Sequence, residues 1–285
     1  MKKIISLLMF LSVSFYAHSQ HSCCSKPSNN DVMAFASLGE DKAFVNAHLS
    51  PLPLDFTPTV GKMVNIKAAD GKEAKVFEVK SGPGQGNVIL MFHEWWGLNE
   101  YIQREAERLH NETGFTVLAL DLYDGKVTSN PEEAGKLMQG TNNDRARAII
   151  QAAIDYAGPN GKIQTIGWCF GGGWSLQAAM MAGKNDVGCV MYYGMPETDA
   201  AKVKDIAGPV LGIFASQDKW ITPETVTAFD KLMKSNGKEI TVMNYDADHA
   251  FANPSNPKYN KEFAEDAHKK AVEFIKKNAA APSHK

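Results

Sequence analysis

From residue 60 to residue 277 the chain alternates short apolar blocks with longer stretches whose apolar residues recur at helical spacing. The blocks at 60–67 and 74–79 flank Ala69-Asp70-Gly71-Lys72, a turn signal that predicts a β-hairpin. A strand over 87–92, a helix over 98–111 and a strand over 115–120 follow. Helical spacing at 143–156 stops at Gly158-Pro159, and a strand at 163–167 leads into a helix at 174–182. The order continues with strands at 187–193 and 210–215, a helix at 223–235, a strand at 240–245 and a last helix at 259–277. Short apolar strands alternating with helices predict an α/β domain, a mostly parallel sheet with helices on both faces.

The ends of the chain break this pattern. Lys2 and Lys3 precede an apolar run at 4–15 too short to span a bilayer, which predicts a signal segment over 1–20. The chain is then expected to be exported, periplasmic or secreted, with lipid anchoring at Cys23 a weaker alternative. Residues 21–56 are rich in Ser, Asn and Pro yet carry Phe35 and Phe44, so an irregular arm lying partly on the domain is expected. The domain itself is placed at 57–280, with a short tail at 281–285.

Formal net charge is −2, and no basic tract suggests a nucleic-acid partner. No later segment is apolar enough to cross a membrane, and the mature chain is expected to be a monomer, with a dimer as the alternative. Four cysteines in a chain of this length do not make a disulfide framework. Cys189 sits inside an apolar run and is expected to be a buried strand residue.

Cys169 is different. It lies in Gly167-Trp168-Cys169-Phe170-Gly171, between a strand and a helix rich in small residues. A nucleophile raised on a sharp strand-to-helix turn needs little bulk beside it, and Gly167, Gly171, Gly172 and Gly173 leave that room. Asp218 follows the strand at 210–215 and His249 follows the strand at 240–245, so the chain order is nucleophile, acid, histidine. In that order His249 takes the thiol proton and Asp218 holds its tautomer. Asp246 and Asp248 lie too close to His249 in sequence to orient its far nitrogen and are expected to cap their loop. His93-Glu94-Trp95-Trp96-Gly97 follows another strand, and the backbone N–H groups of Trp95 and Phe170 are candidates for an oxyanion hole. Glu94 either orders the thiol or caps the next helix.

Together with Asp121-Leu122-Tyr123 and His249-Ala250-Phe251, these motifs resemble the dienelactone hydrolase family, the cysteine branch of the α/β-hydrolases, over roughly residues 58–278. The resemblance implies an α/β-hydrolase fold, a triad of Cys169, Asp218 and His249, and a Glu94 that holds Cys169 at rest and yields it to His249. It also implies hydrolysis of a small ester or lactone through a thioester. Family members that open dienelactone grip its carboxylate with two arginines. Here the corresponding regions offer Lys126 and Asn253, so the substrate is left open. Trp96, Tyr123, Lys126, Trp220 and Phe251 are the candidate substrate contacts, and Phe251 and Trp168 fit core packing equally well.

No cofactor is expected. The eight histidines are scattered in sequence, and His93 and His249 alone make a weak ligand set, so no metal is expected either. A hydrolase-fold protein that binds small carbonyl ligands without turnover is the alternative function.

Overall fold

The computed structural model describes residues 31–80 and 86–280. The expected signal segment, Cys23, Cys24 and the tail at 281–285 lie outside the described residues. The elements run α1 (Asp31–Ala36), α2 (Lys42–Ala47), β1 (Lys62–Lys67), β2 (Glu73–Val79), β3 (Asn87–Phe92), α3 (Glu100–Thr113) and β4 (Thr116–Leu120). Then come α4 (Pro131–Gln139), α5 (Asn143–Ala157), β5 (Lys162–Trp168), α6 (Phe170–Ala182), β6 (Asp186–Tyr192) and α7 (Ala200–Val203). The chain ends with β7 (Val210–Ala215), α8 (Pro223–Ser235), β8 (Ile240–Tyr245) and α9 (Lys261–Ala280).

The eight strands form one sheet in the order β1-β2-β4-β3-β5-β6-β7-β8. The β1–β2 hairpin is antiparallel, with Val64 opposite Val76, and β2 runs antiparallel to β4. Every other pair is parallel. Helices cover both faces, α3 packing beside α9 and α5 beside α6, and this is an α/β-hydrolase fold. The central strands are buried throughout because both their faces are covered, which is why they read as continuous apolar runs. Strand order reverses at β3, whose neighbours are β4 and β5, so the crevice outside the carboxyl ends of β3 and β5 is where such sheets bind ligands.

The arm departs from expectation. It is helical over most of Asp31 to Ala47 rather than irregular. The Asp41 carboxylate caps α2 by accepting the Ala43 N–H at 2.8 Å. Helices of six residues do not stand alone in water; these two are held by burying Val32, Phe35, Phe44 and Val45 against the domain. Further along, the buried Glu107 carboxylate accepts the backbone N–H groups of Thr59, Val60 and Gly61 at 2.7–2.8 Å and fastens the chain before β1. The helix α4 was not expected either. It starts at Pro131 behind an Asn130 cap and meets the arm glycine to glycine, since a Cβ on Gly39 would sit 2.5 Å from the Gly135 carbonyl oxygen. Among the described residues no helix is long and apolar enough to cross a membrane.

Candidate active site

Cys169 stands between β5 and α6 with φ +57° and ψ −120°, a conformation that costs an L-residue on the order of 1–3 kcal/mol. Its surroundings hold it there. Cys169 N–H donates to the Tyr192 carbonyl at 3.0 Å, and the neighbouring glycines leave no room for side chains. A Cβ on Gly167 would collide with the Gly171 carbonyl, and one on Gly171 with the carbonyls of Phe92 and His93. Gly173 differs from the sequence reading: a Cβ there finds its nearest neighbour, the Met195 carbonyl oxygen, at 3.4 Å, an ordinary contact.

The structure brings Asp218 and His249 to the same end of the sheet, after β7 and β8. Asp218 Oδ2 accepts a hydrogen bond from His249 Nδ1 at 2.6 Å, while its Oδ1 accepts the N–H groups of Trp220 and Ile221 at 2.9 and 3.0 Å. Burial opposes ionisation of Asp218, but His249 and those two N–H groups outweigh it and hold the carboxyl below its usual range. A carboxylate at Nδ1 puts the ring proton there and leaves the lone pair on Nε2, which is buried and has no partner among the described residues. Asp246 instead accepts from Ser216 and Gln217, and Asp248 pairs with Lys258.

Burial pushes the Cys169 thiol well above its ordinary range, and the Glu94 carboxyl adds to the rise once it is ionised. The backbone N–H groups of Phe170 and Trp95 bond to Cys169 and act in the opposite direction, so both candidate oxyanion donors converge beside the nucleophile. Burial also raises Glu94 to about 8, against the Tyr193 hydroxyl, and the carboxyl is therefore protonated at neutral pH. Glu94 Oε2 accepts a hydrogen bond from Asn253 Nδ2, whose Oδ1 accepts the Ser255 N–H at 2.7 Å. Glu94 Oε1 and the Tyr193 hydroxyl face each other without a well-formed hydrogen bond. His93 is a tie between loops, binding the Glu94 carbonyl through Nδ1 and accepting the Leu122 N–H at Nε2. Tyr123 stacks edge-on to His93 and keeps its hydroxyl near Cys169.

The arm completes the site, which the sequence did not reveal. The Phe44 ring meets Trp95, Trp220 and His249 at centroid distances of 5.3, 5.1 and 6.2 Å. Phe35 stacks on His249 at 6.2 Å. His48 lies 4.7 Å from Trp95 and 5.4 Å from His249, its Nδ1 bonded to the Phe44 carbonyl at 2.7 Å. Burial, aided by His249, lowers His48 to about 3, so it is neutral, and its Nε2 is buried without a partner among the described residues. One ring nitrogen of His48, one of His249 and the Cys169 sulfur all lie within 4.8 Å of one another, the one such cluster among the described residues able to hold a metal ion. The apolar spacing of Ala43-Phe44-Val45 signalled burial, but nothing in the local sequence of His48 pointed to Cys169.

Two cavities meet at Glu94, Asn253 and Ser255. The one reaching Cys169, lined also by His48, Trp95 and Trp96, is about 10 Å³, space for a single water. The other is about 270 Å³ and is lined by Trp168, Tyr192, Arg104, Arg108, Tyr259 and His268 among others. Trp96 and Trp168 thus sit on cavity walls, whereas Phe251 is core, packed on Tyr193 and Tyr245. Trp220 lies under the arm against Phe44 and His48. Lys126 is exposed and lines neither cavity.

Known proteins share this arrangement of elements. Protein usf of Aquifex pyrophilus is 32% identical over 209 residues, covering 68% of this chain and 88% of that protein. A carboxymethylenebutenolidase of Pseudomonas putida is 25% identical over 227 residues, 74% of this chain and 94% of that one. Among solved structures, a dienelactone hydrolase-like promiscuous phosphotriesterase from metagenomic libraries superposes with a TM-score of 0.66 at 21% identity, covering 77% of this chain and 99% of that one. The model of the dienelactone hydrolase family matches residues 73–279, the span from β2 to α9 that carries Glu94, Cys169, Asp218 and His249. With that match over most of the chain, on this fold, the protein belongs to the dienelactone hydrolase family.

Proposed function

We propose that the protein hydrolyses small esters or lactones through a thioester on Cys169. The observation that carries the reading is the strained Cys169 elbow within reach of a His249 whose tautomer is set by Asp218. His249 Nε2 accepts the thiol proton, and the sulfur attacks the substrate carbonyl carbon. The resulting oxyanion is received by the N–H groups of Trp95 and Phe170. Collapse breaks the carbon–oxygen bond, and the proton on His249 passes to the leaving alkoxide, which in a lactone stays tethered to the acyl group. Water, deprotonated by His249, then attacks the thioester and returns Cys169 as a thiol.

Glu94 is neutral at pH 7 in this scheme, so it places no negative charge beside the forming thiolate. It shields the sulfur together with Asn253, and its displacement joins the small cavity to the larger one, where the acyl group is held. Phe44 and His48 close the other side. That closure also supports a second reading, a binding protein whose arm never opens for turnover. A panel of neutral lactones, anionic lactones and short acyl esters, run with and without stoichiometric alkylation of Cys169, tests the proposal. Turnover that survives full alkylation contradicts it. Export is part of the proposal through Lys2, Lys3 and the apolar run behind them, and sequencing the mature N-terminus checks it.

A further inference from the structure

The mechanism above uses one imidazole at Cys169, yet the structure supplies two. His48 and His249 are built alike at their outer nitrogens. His249 Nδ1 donates to the Asp218 carboxylate and His48 Nδ1 donates to the Phe44 carbonyl, so in each ring the free lone pair is on Nε2. Both Nε2 atoms are buried, and among the described residues neither has a hydrogen-bond partner. The neighbouring sulfur carries a single proton, which satisfies one lone pair at most, and leaving the other unpaired costs about 1–3 kcal/mol. A cation shared by both nitrogens and the sulfur satisfies all three at once.

We propose that His48, Cys169 and His249 bind one zinc ion, which fastens the N-terminal arm over the elbow and withholds the thiol from substrate. Two imidazoles and a thiolate, with no carboxylate in the set, suit a borderline-soft ion rather than calcium or magnesium. Histidine ligands whose outer N–H groups are held by a carboxylate and a backbone carbonyl have the support that metal sites use to fix ring orientation. Zinc bonds of about 2.0–2.3 Å require the three ligand atoms to draw together by side-chain movements of order 1 Å from their present spacing. The 10 Å³ cavity borders two of the three ligands, His48 and Cys169, and can pass one water to the fourth position. On binding, the sulfur–hydrogen bond breaks, the sulfur–zinc bond forms and one proton leaves to solvent. The effect on turnover rests on the hydrolase reading, whereas the binding itself does not.

The test uses the mature chain stripped with chelator. Zinc is titrated against a chromogenic chelator, and Cys169 alkylation is followed with and without the ion. The expected result is one zinc per chain, protection of the thiol, and affinity lost by at least about 100-fold in His48→Ala and Cys169→Ser. His48→Gln, which keeps more of the side chain's bulk, serves if His48→Ala melts early. Cobalt in place of zinc is expected to show a thiolate charge-transfer band that Cys169→Ser abolishes. Absence of stoichiometric binding, or binding unchanged by substitution of His48, overturns the proposal. Ester hydrolysis measured in chelator is scored separately: activity there with no zinc binding removes this site and leaves the hydrolase, while zinc binding with no activity does the reverse.

Discussion

Phe44 of the arm sets its ring edge-on to Trp95, the residue whose N–H is aimed at Cys169, with centroids 5.3 Å apart. Phe44 is fully buried between the arm and the elbow residues Trp95, Trp220 and His249. Phe44→Ala removes a core aromatic, at a cost of about 3–5 kcal/mol. Where that cost falls on the arm, local opening becomes easier by a tenfold change in equilibrium for each ~1.4 kcal/mol. Alkylation of Cys169 by a bulky maleimide is expected to quicken at least about tenfold, with the sheet still folded by circular dichroism. An unchanged alkylation rate speaks against the arm as the cover.

Glu94 gives a pH signature. Its carboxyl is raised to about 8 in the fold, while in the unfolded chain it titrates near its ordinary value of 4.5. Between those values the folded protein holds a proton that the unfolded chain has lost, so stability declines as pH rises, by about 1.4 kcal/mol per pH unit for this group. Glu94→Gln keeps an acceptor for Asn253 and cannot ionise. Its stability relative to the wild type is expected to grow from pH 5 to 8 and then level off. Urea unfolding at several pH values checks this, and a difference that does not depend on pH contradicts it.

The elbow glycines separate cleanly. Gly171→Ala drives a Cβ into the Phe92 and His93 carbonyls, which carry the Glu94 loop. A loss of at least 1–3 kcal/mol, on the order of overpacking costs, is expected together with loss of turnover. Gly173→Ala meets only ordinary contacts inside α6 and is expected to stabilise by up to about 1 kcal/mol. Thermal melts of the two variants decide the matter.

Asp218→Asn replaces the acceptor of His249 Nδ1–H with a group that also donates, which turns the imidazole to the wrong tautomer. The fold is expected to survive, since one side-chain oxygen remains to accept from Trp220 and Ile221. Turnover is expected to fall on the order of 10⁴-fold. A loss below tenfold means that Asp218 only shapes its turn.

Much of this was legible in the chain. The strands and helices of the sheet followed from apolar runs and turn signals because both sheet faces are covered, and the β7 and α8 boundaries at 210–215 and 223–235 coincide with the reading. The order Cys169, Asp218, His249 could be read because each residue leaves the carboxyl end of a strand that is itself legible. Helix α4 escaped although Asn130-Pro131-Glu132-Glu133 is a start signal, because its apolar face is short and meets the arm through Gly39 and Gly135 rather than through large side chains. The arm escaped for a different reason. Its helices are too short to be specified locally and exist only through the burial of Phe35 and Phe44, a tertiary fact. His48 went unnoticed with them, since 120 residues of chain lie between it and Cys169. Lys126, which looked like a replacement cation, is exposed away from both cavities, while Arg104 and Arg108 line the larger one from α3.

A thioester on Cys169 that forms and turns over is what separates a hydrolase from a binding protein on this fold. Mixing the chain with an activated ester, quenching in acid within one turnover and weighing the intact protein tests it most directly. A mass increase equal to the acyl group is expected, mapped to Cys169, decaying at the rate of hydrolysis and missing in Cys169→Ala. Hydrolysis by Cys169→Ala at the wild-type rate, or an acyl group on Cys169 that never leaves, would contradict it.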